Sequence, residues 1–77
     1  MKGGPIMVRT AVSSSNLSSV GYDQRRHVLE IEFQSGSVYQ YEHVPTEVYE
    51  ALVAAPSHGA YFDQNVKKAG YPFRKVG

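Results

Sequence analysis

The chain has 77 residues, of which 42% are hydrophobic and 12% aromatic, and it contains no cysteine. This length and composition predict a single folded domain with a thin core, not two domains or a disordered tail. The lack of cysteine excludes disulfides, thiolate zinc sites and thiol catalysis. The formal net charge of +1 is too small for a strong overall field toward a polyanion.

Residues 1–11 are predicted to form a leader or a short first strand before the main body of the domain at 12–76. Residues 1–6 are the candidate leader, and 6–12 are rich in β-branched side chains, which favours a strand. The sequence has no apolar run of about 18 residues that would span a membrane. It also lacks the apolar stretch of a signal peptide. We therefore expect a cytoplasmic protein with no membrane partner.

Alternating apolar and polar residues predict the next strands of an antiparallel meander. They cover residues 17–22, 27–34 and 38–44, and the alternation is clearest in 27–34. Polar segments at 23–26 and 35–37 separate them and are predicted to be turns.

The length of the turn at 35–37 decides which way the tyrosines of the following strand point. A three-residue turn pairs Phe33 with Tyr39, and Ile31 then pairs with Tyr41. Directly opposed residues share one face of a sheet. The tyrosines are therefore predicted to join the apolar face of the preceding strand.

The same alignment has one unfavourable consequence. It places Glu30 opposite Glu42, which is a mildly repulsive pair. The turn at 23–26 is predicted to place Val20 opposite Leu29, which extends the apolar face to the strand at 17–22.

Two short helices are predicted to follow. Pro45 suits the first turn of a helix, where its missing N–H is harmless, and Ser57 is a suitable N-cap for a second helix ending near Gly70. Helical spacing marks the buried sides as Val48, Ala51, Leu52 and Ala55 in the first helix, and Phe62, Val66 and Ala69 in the second. The predicted fold is α+β, an antiparallel β-meander of three to four strands packed against two short C-terminal helices.

Several short motifs occur in an order typical of one small domain family. They are Ser14-Ser15-Asn16-Leu17, Val20-Gly21-Tyr22-Asp23, Ser35-Gly36-x-Val38, Tyr39-Gln40-Tyr41, Val44-Pro45 and Ser57-x-Gly59. Over residues 12–76 the chain resembles the KTSC domain, which is named for its occurrence at the C-terminus of some lysyl-tRNA synthetases. The domain also occurs as a stand-alone bacterial or phage protein. The resemblance implies no catalytic residues, and it suggests RNA binding by association with a tRNA enzyme.

Basic and aromatic residues near the end of the chain are the leading candidates for nucleic-acid contact. The candidates are Lys67, Lys68, Tyr71, Phe73, Arg74 and Lys75, with Arg25 and Arg26 in a turn. Clustered cations attract phosphates, and aromatic rings stack on bases. Alternatively, the two lysines complement the negative end of the second helix. The two aromatic residues would then fix the tail to the core.

Tyr39 and Tyr41 admit two interpretations. On an open sheet face each would stack a base, at ~1–3 kcal/mol per base. Under the helices they would belong to the core, where burial of one large apolar side chain contributes ~1.5–3 kcal/mol. The core interpretation is favoured because a domain of this size needs their apolar surface.

The sequence contains no catalytic or metal-binding motif. His27, His43 and His58 lack the spacing of a metal-ligand set, and neither a nucleophile elbow nor a glycine-rich phosphate loop occurs. We therefore expect no enzymatic activity, no cofactor and no metal. The favoured function is an accessory domain that binds RNA or another single-stranded nucleic acid. The alternatives are a protein-interaction module and, in third place, a hydrolase.

Overall fold

The computed structural model describes residues 8–77. In this part of the chain one five-stranded antiparallel sheet follows the chain order. The strands are β1 (Arg9–Ala11), β2 (Leu17–Asp23), β3 (Val28–Phe33), β4 (Val38–Tyr41) and β5 (Phe73–Lys75). Between β4 and β5 lie α1 (Thr46–Ala54), α2 (His58–Phe62) and a π-helical turn (Asp63–Lys67) that continues α2.

The predicted α+β fold is confirmed, with one strand more than the three to four expected. The additional strand is β5, which pairs with β4 at the edge of the sheet. The part of the predicted first strand that the structure describes contains β1. The candidate leader at 1–6 lies outside the described residues. No helix within residues 8–77 has the length and apolar character needed to cross a membrane.

The β3–β4 hairpin has the predicted faces but a different register. Tyr39 lies opposite Ile31 and not opposite Phe33. The connection covers 34–37 because the Phe33 N–H donates to the Ser37 carbonyl at 2.9 Å and closes the turn. A shift of two positions leaves every side chain on its side of the sheet. The tyrosines of β4 therefore lie on the same face as the apolar residues of β3.

The predicted repulsion between Glu30 and Glu42 is wrong for the same reason. Gln40 faces Glu30 instead, and its Nε2 donates a hydrogen bond to Oε1 of Glu30 at 2.9 Å. Arg9 reaches the same carboxylate from β1, with 3.4 Å between Nε and Oε2. Gly21 of β2 lies between these two strands and has no side chain to obstruct the contact. The outer face of the sheet is thus crossed by a row of paired polar groups.

The β2–β3 hairpin shows a similar two-position shift. Val20 lies opposite Ile31, whereas Leu29 was the predicted partner. A β-bulge between Leu17 and Ser19 inserts one residue into β2. Because of this residue, Leu17 and Val20 both face the core although they are three positions apart.

The core fills the space between one face of the sheet and the helices. Its buried members are Leu17, Val20, Leu29, Ile31, Tyr41, Val44, Leu52, Phe62 and Val66. In α1, Leu52 is the residue fully buried. The prediction that Ala69 lines the core is wrong. Ala69 is exposed because the helical segment ends before it, and Gly70, at φ 86°, turns the chain toward β5.

Candidate functional site

An open cavity of about 380 Å³ lies on the core side of the sheet, between the β4–β5 edge and the π-helical turn. We call it the aromatic pocket. Its aromatic lining consists of Phe33, Tyr39, Tyr41, Phe62 and Phe73. Its polar lining consists of Asn16, Asp63 and Lys67.

Phe73 is the most accessible ring of the pocket. It lies opposite Tyr41 in the β4–β5 pair, with 5.4 Å between the ring centroids and a 33° tilt. The hydrogen bond from the Glu42 N–H to the Pro72 carbonyl, at 2.8 Å, holds β5 at this position. Phe73 is nevertheless 61% exposed. A large apolar ring held open to solvent beside other rings is available for stacking.

The two tyrosines of β4 differ in burial. Tyr41 is only 5% exposed and meets the edge of the Phe62 ring at a centroid distance of 5.5 Å. Tyr39 is half-buried and meets the Phe33 ring edge-on at 5.7 Å. Tyr41 thus belongs to the core and also lines the pocket floor, whereas Tyr39 leaves part of its ring open.

Burial changes the acidity of the Tyr41 phenol. Desolvation by burial, followed by the neighbouring Tyr39, raises the pKa of Tyr41 above its ordinary value of 10.0. The folded state therefore holds this proton more tightly than the unfolded chain does. The resulting stabilisation is complete below the unfolded pKa and is lost as pH rises through the folded pKa.

We expect wild-type protein to lose stability more steeply above about pH 10 than the Tyr41→Phe variant, which has no phenol at this position to ionise. Urea unfolding of both proteins from about pH 8 upward measures the difference, and the other tyrosines are common to both. Parallel stability curves would contradict the assignment of a raised pKa to Tyr41.

The polar side of the pocket is formed by an unusual helical turn. The Lys68 N–H donates to the Asp63 carbonyl, five residues back, at 3.1 Å. Asp63 and Lys67 both line the pocket, and the Oδ2 atom of Asp63 also lies 3.4 Å from Nζ of Lys68. Short π-helical turns within helices are frequent at functional sites. The sequence predicts ordinary helix here, and its apolar spacing indicates neither the π-helical turn nor a role for Asp63.

The loop before β2 fixes the remaining polar residue, Asn16. The Ser14 Oγ accepts the N–H groups of Asn16 and Leu17, each at 3.2 Å, and the Gln34 N–H donates to the Asn16 carbonyl at 2.9 Å. A Cβ on Gly59 would lie only 3.3 Å from the Ser14 Oγ. The glycine therefore allows α2 to lie against this loop, and the contact places Asn16 at the pocket.

Two of the cations predicted from the sequence to contact nucleic acid lie on the same side of the sheet as the pocket. Lys67 lines it directly. Lys75 lies opposite Tyr39 in the β4–β5 pair, and opposed residues share a face. Both lysines are exposed. The pocket thus combines an accessible aromatic surface with positive charge.

The structure does not bring the other selected residues into the pocket lining. Arg74 lies opposite Gln40, on the outer face of the sheet. Tyr71 is partly buried against the core, and Lys68 forms an ion pair at 3.4 Å beside the pocket. Arg25 and Arg26 lie in the turn between β2 and β3.

A second, shallower cavity of about 360 Å³ is lined by Arg26, His27, His43 and Pro45. The Nδ1 atom of His27 lies 3.0 Å from the Tyr22 hydroxyl. Elsewhere, the Nδ1 atom of His58 lies 2.9 Å from the carbonyl oxygen of Leu52. Two histidines thus hold local structure. Among residues 8–77 no three histidine, aspartate or glutamate side chains are placed to hold a metal ion.

The chain belongs to the KTSC domain family, whose model matches residues 13–71. An uncharacterized protein of Stutzerimonas stutzeri is 46% identical over 70 residues, which cover 91% of this chain and 99% of that protein. The crystal structure of a KTSC domain protein from Yersinia pestis superimposes with a TM-score of 0.85 at 40% identity, covering 94% of this chain and 100% of the other. The family resemblance seen in the sequence is confirmed.

A longer relative carries a similar segment. The lysine–tRNA ligase of Nostoc punctiforme is 45% identical over 53 residues, which cover 69% of this chain but only 9% of the ligase. The similarity therefore concerns one small part of that enzyme.

Proposed function

We propose that this KTSC domain is a non-enzymatic accessory domain that binds single-stranded RNA at the aromatic pocket. The observation that carries the proposal is the combination of accessible rings with a cation: Phe73 is 61% exposed, and Lys67 lines the same pocket. Base–aromatic stacking tolerates any sequence, because every base has a π-face, and lysine attracts the adjoining phosphate.

The dimensions of the pocket suit one nucleotide. Its volume of about 380 Å³ is within the usual range of small-molecule sites, ~300–1,000 Å³. The sheet supplies an aromatic floor, as sheets do in several modules that stack the bases of single-stranded RNA. A duplex is a poorer ligand, because its bases are already stacked on one another.

The distribution of charge predicts weak and salt-sensitive binding. The formal net charge is only +1, so attraction depends on the cations near the pocket, Lys67 and Lys75. Each phosphate contact made by a single strand adds about −0.7 to the slope of log K against log salt concentration. Two such contacts predict a slope of about −1.4.

The similarity to a segment of a lysine–tRNA ligase supports RNA over DNA as the ligand. The enzyme's name places it in contact with tRNA, and the support is by association with that enzyme. A role with RNA also agrees with our expectation of a cytoplasmic protein.

The test is the affinity of the domain for a short labelled RNA, measured by fluorescence anisotropy at about 20 and 200 mM salt. We expect Lys67→Gln to weaken binding at low salt and to reduce the slope by about 0.7. Arg25→Gln is the matched control, because it removes the same charge from the β2–β3 turn, away from the pocket lining. The control is expected to bind like wild type.

Absence of binding at roughly tens of micromolar protein and low salt would contradict the proposal, since the electrostatic attraction is strongest under these conditions. Equal losses in Lys67→Gln and Arg25→Gln would contradict the pocket as the site. Absence of binding would favour a protein-interaction module, the other function expected from the sequence, whereas equal losses would leave RNA binding and move it away from the pocket.

A further inference from the structure

The charged and amide side chains of the aromatic pocket lie on one side only. The sheet side of the lining is aromatic, whereas Asp63 and Lys67 come from the π-helical turn and Asn16 from the loop before β2. A flat ligand that stacks on the rings therefore meets charged and amide groups along the edge that faces these three residues. Their donor and acceptor pattern determines which edge fits.

Asp63 restricts the choice most strongly. An ionised carboxylate only accepts hydrogen bonds, and its two oxygens suit two neighbouring donors. Guanine offers this pattern, because its N1–H and N2 amino group are adjacent on the Watson–Crick edge. Adenine and cytosine place a single amino group beside an acceptor nitrogen, and uracil places its one N–H between two carbonyl oxygens.

Lys67 complements the remaining position of the same edge. The guanine O6 acceptor adjoins N1–H, and an ammonium group has three donors and no acceptor, so Lys67 can donate to O6 and also contact a phosphate. Asp63 and Lys67 are four residues apart in the π-helical turn and line the same pocket. The protein thus offers an acceptor and a donor side by side. This arrangement complements the guanine edge, on which two donors, the N2 amino group and N1–H, are followed by the acceptor O6.

The ion pair of Asp63 does not occupy the whole carboxylate. Nζ of Lys68 lies 3.4 Å from Oδ2 alone, and the Asp63 side chain remains 45% exposed. Lys68 is itself 69% exposed and lies outside the pocket lining. The carboxylate is therefore accessible to a ligand while its charge is balanced.

We propose that the aromatic pocket selects guanine, with the Asp63 carboxylate accepting from N1–H and the N2 amino group and the rings stacking on the base. The inference rests on the proposed binding of single-stranded RNA and adds the identity of the base.

The probes are labelled hexanucleotides of uridine with one central guanosine, adenosine, cytidine or uridine, titrated at low salt. We expect the guanosine oligonucleotide to bind about 5-fold or more tightly than the others, the lower end of discrimination by a bidentate contact. Inosine, which lacks the N2 amino group, is expected to lie between guanosine and uridine. Replacement of guanine by 7-deazaguanine leaves this edge intact and is expected to change little.

Two variants show whether the preference for guanosine depends on the Asp63 carboxylate itself or on its ion pair with Lys68. Asp63→Asn breaks the contact with Lys68 and removes the negative charge, and it is expected to abolish the preference for guanosine. Lys68→Gln breaks the same ion pair but keeps the carboxylate, so the preference is expected to persist.

Equal affinity for all four oligonucleotides would overturn guanine selection and leave RNA binding intact. A guanosine preference that survives in Asp63→Asn would overturn the role of the carboxylate. Failure of every oligonucleotide to bind would overturn the proposed function and this inference together.

Discussion

Replacement of Phe62 by alanine is expected to lower the free energy of unfolding by about 3–5 kcal/mol, the usual cost of truncating a buried phenylalanine. Phe62 is 1% exposed, and its ring meets those of Phe33 and Tyr41 edge-on, each at a centroid distance of 5.5 Å. Small domains have total stabilities near the lower end of ~5–15 kcal/mol. Phe62→Ala should therefore remove most of the stability, as measured by urea unfolding.

The control for this variant is Val53→Ala in α1. Val53 is 38% exposed, and alanine has the higher helix propensity, so its effect is expected to stay within about 0.5 kcal/mol. A loss below about 1 kcal/mol in Phe62→Ala would contradict the packing of this ring. The result also matters for function, because the same ring lines the pocket.

The faces of the sheet were predictable from the sequence, whereas the exact register was not. Alternation in β3 fixes which residues face the core, and a shift of two positions preserves that assignment. The register depends on how the turn closes. Gly36 adopts φ 96° and its N–H donates to the Phe33 carbonyl at 2.9 Å. Alternation carries no information about this closure.

The pocket itself escaped prediction because it depends on long-range pairing. Phe73 meets Tyr41 only when β5 returns to the edge of β4 after two helices. Once β5 is known, its alternation separates Lys75 from Arg74, which lie on opposite faces. The linear cluster of cations in the sequence is therefore divided between the two faces of the sheet, with Lys75 on the side of the pocket and Arg74 on the outer face.

The π-helical turn could not be predicted for a related reason. Phe62 and Val66 are four residues apart and both buried, a spacing that ordinary α-helix explains equally well. The distinction lies in the hydrogen bond between the Lys68 N–H and the Asp63 carbonyl. Spacing of apolar residues does not report such a backbone bond.

Two sequence motifs gain a physical meaning from the fold. Ser14 and Gly59 are far apart in the sequence, yet a Cβ at the glycine would lie 3.3 Å from the Ser14 Oγ. The serine caps the loop that carries Asn16, and the glycine lets α2 approach it. Both residues thus serve to place one wall of the pocket.

Replacement of Phe73 by alanine is expected to weaken RNA binding by about 5- to 150-fold, which corresponds to the loss of one base stack, ~1–3 kcal/mol. The Phe73 ring is 61% exposed. Its removal should therefore change the free energy of unfolding far less than removal of the buried Phe62 ring does. Anisotropy titration measures the affinity, and urea unfolding checks that the fold is retained.

Phe73→Tyr is the matched control, since it keeps an aromatic ring at the same position of β5 and is expected to bind within about twofold of wild type. The pair separates stacking from charge, because neither variant alters Lys67 or Lys75. If Phe73→Ala bound RNA as tightly as Phe73→Tyr, stacking at this ring would be contradicted. Attraction of phosphates by the two lysines would then remain as the source of affinity, and phosphate contacts carry no preference among bases.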